Sequence, residues 1–136
     1  MAVRKVSYVV LKVRNRAGTA AQVLGALAQG KVNLLAFTGF PDAGGKSQLD
    51  VMTGDLAGVR RVAKKQGWKL GATKRGFVAQ GKDRVGAVHR QIKGLAKRGI
   101  NLTAVDAVSA GRGRFGMILW VKPGDYARAA RALKAK

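Results

Sequence analysis

The chain contains no cysteine. Disulfide scaffolds, thiol nucleophiles and thiolate metal sites are therefore excluded. A cytoplasmic location is the expectation that fits this. The chain has one histidine and six acidic residues against 27 lysines and arginines. No two carboxylates form a close pair by spacing, so paired acid–base chemistry has no obvious seat. A transition-metal centre or a catalytic triad would also lack material. The expectation is a non-catalytic protein with no cofactor and no metal, and His89 is read as a surface or half-buried side chain. No apolar run approaches the roughly 20 residues that a spanning helix needs, so no membrane partner is expected. The opening stretch MAVRKVSYVVLKV begins basic and turns apolar. Lys12 and Arg14 close the run, and no cleavage site follows, so it reads as a strand and not as a leader. GGKS at 44–47 lacks the eight-residue spacing of a phosphate loop and does not lead into a helix.

What is present in excess is positive charge. The 136 residues carry a formal charge of +21. Residues 1–68 hold 11 basic and 3 acidic side chains, and residues 69–136 hold 16 and 3, so the charge is not a tail. Such a field attracts polyanions whatever the protein's task. Apolar residues make up 47% of the chain, which argues for a folded core. The length suits one ordinary domain or two very small ones.

The second pattern is repetition. Shifted by 68 residues, NRAGTAAQVLGALAQGKVNLLAF falls on DRVGAVHRQIKGLAKRGINLTAV without a gap. Arg16 meets Arg84, Gly18 meets Gly86, Leu27 meets Leu95 and Asn33 meets Asn101. Further along, Gly45 meets Gly113. Repetition at a fixed offset points to one small unit written twice.

Each copy has its own periodicity. Residues 3–13 alternate and are rich in valine, as a strand is. Ala20, Val23, Leu24, Leu27 and Ala28 recur at helical spacing, and Gly30 is expected to end that helix. Residues 32–38 read as a strand, PDAGG as a turn, and residues 47–53 as a strand with Leu49 and Val51 on one face. Asp55 is placed to cap a helix carrying Leu56, Val59, Val62 and Ala63, and Gly67 and WKLGA follow as a stop and a short strand. In the second copy, strands are expected at 75–80, 100–108 and 114–121. Helices are expected along Val85, Val88, Ile92, Leu95 and Ala96, and along Tyr126, Ala127, Ala130 and Leu133. The order is βαββαβ, α+β in class, with a first unit over 1–72 and a second over 73–136. The second copy stops where its last strand should begin. Its first strand, near Phe77, is then expected to be an open edge inviting pairing, so a homo-oligomer is expected, a dimer first.

The two repeated segments resemble the opening half of the ACT domain, a regulatory ligand-binding module. Asn15, Arg16 and Gly18, then Gly30, Val32 and Asn33, match its pattern in the first copy. Asp83, Arg84 and Gly86 match it in the second, where Arg98 precedes Gly99 and the glycine is displaced by one. Ala17 and Val85 stand where the family has proline. The resemblance covers nearly the whole chain as a tandem pair of ferredoxin-like ACT-type units, the second without its final strand. It implies a small effector, an amino acid first, held at a seam between units. Carried over by position, the binding residues are Asn15, Arg16, Ala17, Gly18, Thr19 and Asn33, with Asp83, Arg84, Val85, Gly86, Ala87 and Asn101.

Elementary chemistry supports such a site on its own terms. A glycine before a helix lets a ligand approach the backbone, and first-turn N–H groups accept a carboxylate. Arg16 can add a bidentate contact, and Asp83 can receive an ammonium. The bland alternatives are turn-shaping glycines, solvated arginines, and asparagines that tie down their own backbone. Two rival functions remain. One is nucleic-acid binding through the basic surface, since GRGRFGMILW joins two arginines to an aromatic strand and the element order is also that of an RNA-recognition sheet. Phe115 and Trp120, five apart, fall on opposite strand faces, against that reading. The other is an oligomerisation module with no ligand.

Overall fold

The computed structural model describes residues 2–136, which divide into two compact units. One comprises Ser7–Lys74, and the other comprises Arg75–Lys136 together with residues 2–6.

The first unit contains most of strand β1 (Ala2–Arg14), helix α1 (Thr19–Gln29), β2 (Ala36–Asp42), β3 (Lys46–Met52) and α2 (Leu56–Gln66). β3 lies between β2 and β1, and both pairings are antiparallel. Alternation along the strands puts Val9, Leu11, Leu49 and Val51 on one face. Val23 and Leu27 of α1 and Val59 and Val62 of α2 close over them. A fully buried aliphatic of this kind contributes about 1.5–3 kcal/mol. Asp55 caps α2, its carboxylate accepting from the Gly58 amide at 2.9 Å.

Several local expectations are revised. The strand expected at 32–38 runs from Ala36 to Asp42. Residues before it are occupied otherwise: Val32 donates to the Leu27 carbonyl at 3.0 Å, and Thr53 donates its hydroxyl to the Asn33 carbonyl at 2.6 Å. Gly30 ends α1 as its C-cap, as expected, but at φ −78° and not in the left-handed conformation. That conformation falls on Lys31, at φ 62°. Gly30 is needed for a different reason: a Cβ there would sit 2.3 Å from Cγ2 of Val62. The short strand expected at WKLGA is reduced to one bridge, Leu70 to Leu11.

The second unit contains β4 (Lys74–Lys82), α3 (Ala87–Ala96), β5 (Leu102–Gly111), β6 (Arg114–Val121), a 3-10 turn at Pro123–Asp125 and α4 (Tyr126–Leu133). Strand order is β5-β6-β4, all antiparallel. Phe77, Ala79, Met117 and Leu119 face Leu95 of α3 and Ala129 and Leu133 of α4. Ala129 takes the buried place expected for Ala127, which is exposed. Val85 does not join the helix. It is fully exposed, because Gly86 at φ 82° breaks the helical period just before α3 starts.

No strand follows α4, yet β4 has no open edge. Residues 2–6 of β1 lie beside it. Val3 enters the same core as Phe77, the Lys136 amide donates to the Val3 carbonyl at 3.0 Å, and Lys5 donates to the Lys136 carbonyl at 3.2 Å. The open edge expected near Phe77 is thereby filled by the chain's own opening residues.

Candidate functional site

The turn after β1 is built from its own hydrogen bonds. Asn15 donates its amide to the Gly45 carbonyl at 2.9 Å, and Thr19 donates to Arg16 at 3.3 Å. Gly18, at φ 90°, supplies the left-handed entry to α1 and no side-chain cap. The amides of Ala20 and Ala21 therefore begin the helix without an intrahelical acceptor, since Gln22 is the first to bond back, to Gly18. This turn opens on a hollow of about 400 Å³ lined by Arg14, Asn15, Arg16 and Thr19 together with Phe37 and Phe40 of β2. Phe40 is 47% exposed, an uncommon state for so large an apolar side chain.

The β2–β3 hairpin that carries these aromatics is pinned at its end. Lys12 donates to the Asp42 carboxylate, and to Oε1 of Gln48 at 2.8 Å. The Lys12 hydrogen bond, then the Ala43 amide, then the Lys12 charge hold the Asp42 carboxyl below the usual carboxylate range. Asp50, buried on β3, has both oxygens occupied, accepting from Thr38 at 3.2 Å and Gln48 at 2.9 Å.

Of the residues expected at a first site, Asn15, Arg16 and Thr19 come together in this hollow. Ala17 and Gly18 are exposed on the same turn. Asn33 is not part of it: it is exposed past the far end of α1, and its role is the backbone carbonyl that Thr53 holds. Arg14, Phe37, Phe40 and Pro41 line the hollow without any sequence motif to mark them.

In the second unit the same turn recurs. Asp83 donates to Gly113 at 2.8 Å, Ala87 to Arg84 at 3.1 Å and Arg90 to Gly86 at 2.9 Å. Arg84 and Ala87 line a larger hollow of about 970 Å³. Asp83, Val85, Gly86 and Asn101 do not line it. The Asp83 carboxylate is engaged, accepting from Ser109 at 2.7 Å.

Two further features bear on function. Phe115 is 3% exposed and packs in the core with Phe77, so this aromatic of the RNA-like segment is not on an open sheet face. Among the described residues, no group of three or more His, Asp or Glu side chains is placed to hold a metal ion, and His89 is exposed. Among the same residues, no helix is long and apolar enough to cross a membrane.

No protein-family model matches the chain, and no curated protein matches it. Solved structures do. The chain is similar to a protein of Bacteroides thetaiotaomicron, with 16% identity over 97% of this chain and 87% of that one, at a TM-score of 0.77. It is similar to the aspartokinase alpha and beta subunits, with 17% identity over 98% and 95% and a TM-score of 0.64. It is also similar to the ligand-free regulatory subunit of aspartate kinase from Thermus thermophilus, with 17% identity over 98% and 93% and a TM-score of 0.62. At these identities the likeness shows the fold alone, α+β with two tandem ferredoxin-like units; in this chain no strand follows α4.

Proposed function

We propose that this chain is a non-catalytic regulatory module of the ACT kind that binds a small effector, an amino acid first, at the hollow of its first unit. The observation that carries the reading is the convergence there of Arg16, Asn15, Thr19 and an uncapped helix start, with Phe37 and Phe40 lining the same hollow. The guanidinium and the helix amides suit a carboxylate. The two rings suit an apolar or aromatic side chain. Structural relatives include proteins described as regulatory subunits of aspartate kinase, which agrees with a regulatory role.

The module works as a homo-oligomer, a dimer in its simplest form. β5 ends its sheet order, is exposed from Thr103 onward, and bears no lysine or arginine; Asp106 is its one charge. Copies of a chain carrying +21 repel least along such a cation-free edge, and exposed Val105 and Val108 add apolar area to it.

A thermal-shift screen of the proteinogenic amino acids, run beside short RNA and DNA at low and high salt, tests the binding claim. One or a few amino acids should raise the melting temperature, and the shift should survive salt. Shifts confined to polyanions and abolished by salt would refute the reading. Light scattering tests the assembly, and a monomer at all concentrations would refute that part.

A further inference from the structure

The hollow of the second unit is chemically unlike that of the first. Five cationic side chains line it: Lys82 from the end of β4, Arg84 from the following turn, Arg90 from α3, Arg114 from the start of β6 and Lys134 from the end of α4. No acidic residue lines it. Among the described residues, none of the five side chains has a hydrogen-bond or ion-pair partner. A few cations elsewhere are engaged: Lys12 pairs with Asp42, Arg128 pairs with Asp125 and reaches the Arg98 carbonyl, and Arg75 lies over the Tyr126 ring. Most of the others are solvated singly, and what sets these five apart is that they converge on one hollow. The carboxylate nearest in sequence, that of Asp83, takes the Ser109 hydroxyl and stays out of the hollow. Five like charges around one concavity repel one another, and a multiply charged anion relieves that repulsion.

An amino acid does not fit this composition. Its carboxylate would satisfy one arginine, but its ammonium would face cations with no carboxylate to receive it. Phosphate groups fit better. Arginine forks grip phosphate oxygens in pairs, and lysines add point charge. Gln80 and Gln91 supply neutral donors for what a phosphate chain carries. Gly94 adds room, since nothing lies within 4 Å of where its Cβ would stand. At about 970 Å³ the space is of the order that small-molecule sites occupy. We infer that the second unit binds a compact oligophosphate anion, such as a nucleoside polyphosphate, in this hollow. A nucleic-acid strand would also bring phosphates, but it needs an extended track, and the unpaired cations here surround a cavity. The inference goes beyond the effector reading of the first hollow and does not depend on it.

The test is calorimetric titration of the full chain with inorganic tripolyphosphate, adenosine triphosphate and a short single-stranded DNA at about 150 mM salt, where exposed charges are largely screened. Three variants are compared. Arg84→Ala/Arg90→Ala removes two lining cations. Lys64→Ala/Lys65→Ala removes the same charge from the exposed end of α2. Gly94→Gln fills the hollow at constant charge. One saturable site per chain is expected for the small anions. The arginine double variant should lose about tenfold or more in affinity. Gly94→Gln should also weaken binding, and the lysine double variant should change it less than about threefold. Equal losses in the two double variants would overturn the inference, because the binding would then be general charge. So would unsaturable binding, full affinity in Gly94→Gln, or DNA binding that depends on Arg84 and Arg90 more steeply than tripolyphosphate does. The first-unit amino-acid shift should be untouched by all three variants, so failure of one reading is distinguishable from failure of the other.

Discussion

The amide of Asn15 donates to the carbonyl of Gly45 at 2.9 Å, and 68 residues later the amide of Asp83 donates to Gly113 at 2.8 Å. The correspondence continues through each turn and helix. Thr19 to Arg16 matches Ala87 to Arg84, and Val32 to Leu27 matches Ile100 to Leu95. The repeat is therefore one of backbone hydrogen bonds as well as of letters. It makes Gly18 and Gly86 equivalent, both left-handed, with no heavy atom within 4 Å of an added Cβ. Gly86→Ala should destabilise by about 1–2 kcal/mol through backbone strain alone. Gly86→Asn should cost less, because asparagine tolerates that conformation. Urea denaturation checks both, and equal losses would contradict the strain argument.

Arg16→Ala should weaken the amino acid that gives the largest thermal shift by about 1.5–3 kcal/mol in titration calorimetry, the worth of a hydrogen bond to a charged group. Arg16→Lys should fall between, keeping charge and losing the fork. Arg16 is exposed and packs against no core, so the melting temperature without ligand should hardly move.

Gly30→Ala should cost about 1–3 kcal/mol by overpacking against Val62. Adding Val62→Ala should relieve part of that cost. The double variant is then less destabilised than the sum of the singles, which a double-mutant cycle measures directly.

Tyr126 stacks on Phe77 with ring centroids 4.5 Å apart and donates its hydroxyl to the Gly76 carbonyl at 2.9 Å. Burial raises its pKa, and the charge of Arg75, 4.2 Å from the ring centroid, opposes the rise. A raised folded-state pKa gives stability that is complete below the unfolded value, about 10, and is lost as pH climbs through the folded value. Tyr126→Phe should therefore lose about 0.5–1.5 kcal/mol at neutral pH. It should also decline less steeply than the parent in strong alkali. Parallel slopes in denaturation across that range would remove Tyr126 from the account.

The repeat, the element order and the Arg16 turn were legible because they rest on local signals: helical periodicity, glycine before a helix, and a fixed offset. Phe37 and Phe40, three apart in sequence, carry no local signal that joins them to the Arg16 turn; the β1–β3 and β2–β3 pairings, which are distant in sequence, bring them there. Val85 reads as helical because apolar spacing continues through it, whereas the left-handed backbone at Gly86 keeps it outside α3. The five cations of the second hollow are hidden among 27, since only tertiary structure separates those that converge from those that do not.

β1 spends its first residues on one core and the remainder on another. An excised fragment 73–136 would thus expose the flank of β4 and should aggregate or stay unfolded, whereas supplying residues 1–6 as a separate peptide should rescue it. During synthesis the segment that seals the second core emerges well before that core exists. It must wait for its docking site, which makes this closure a late and non-local event in folding.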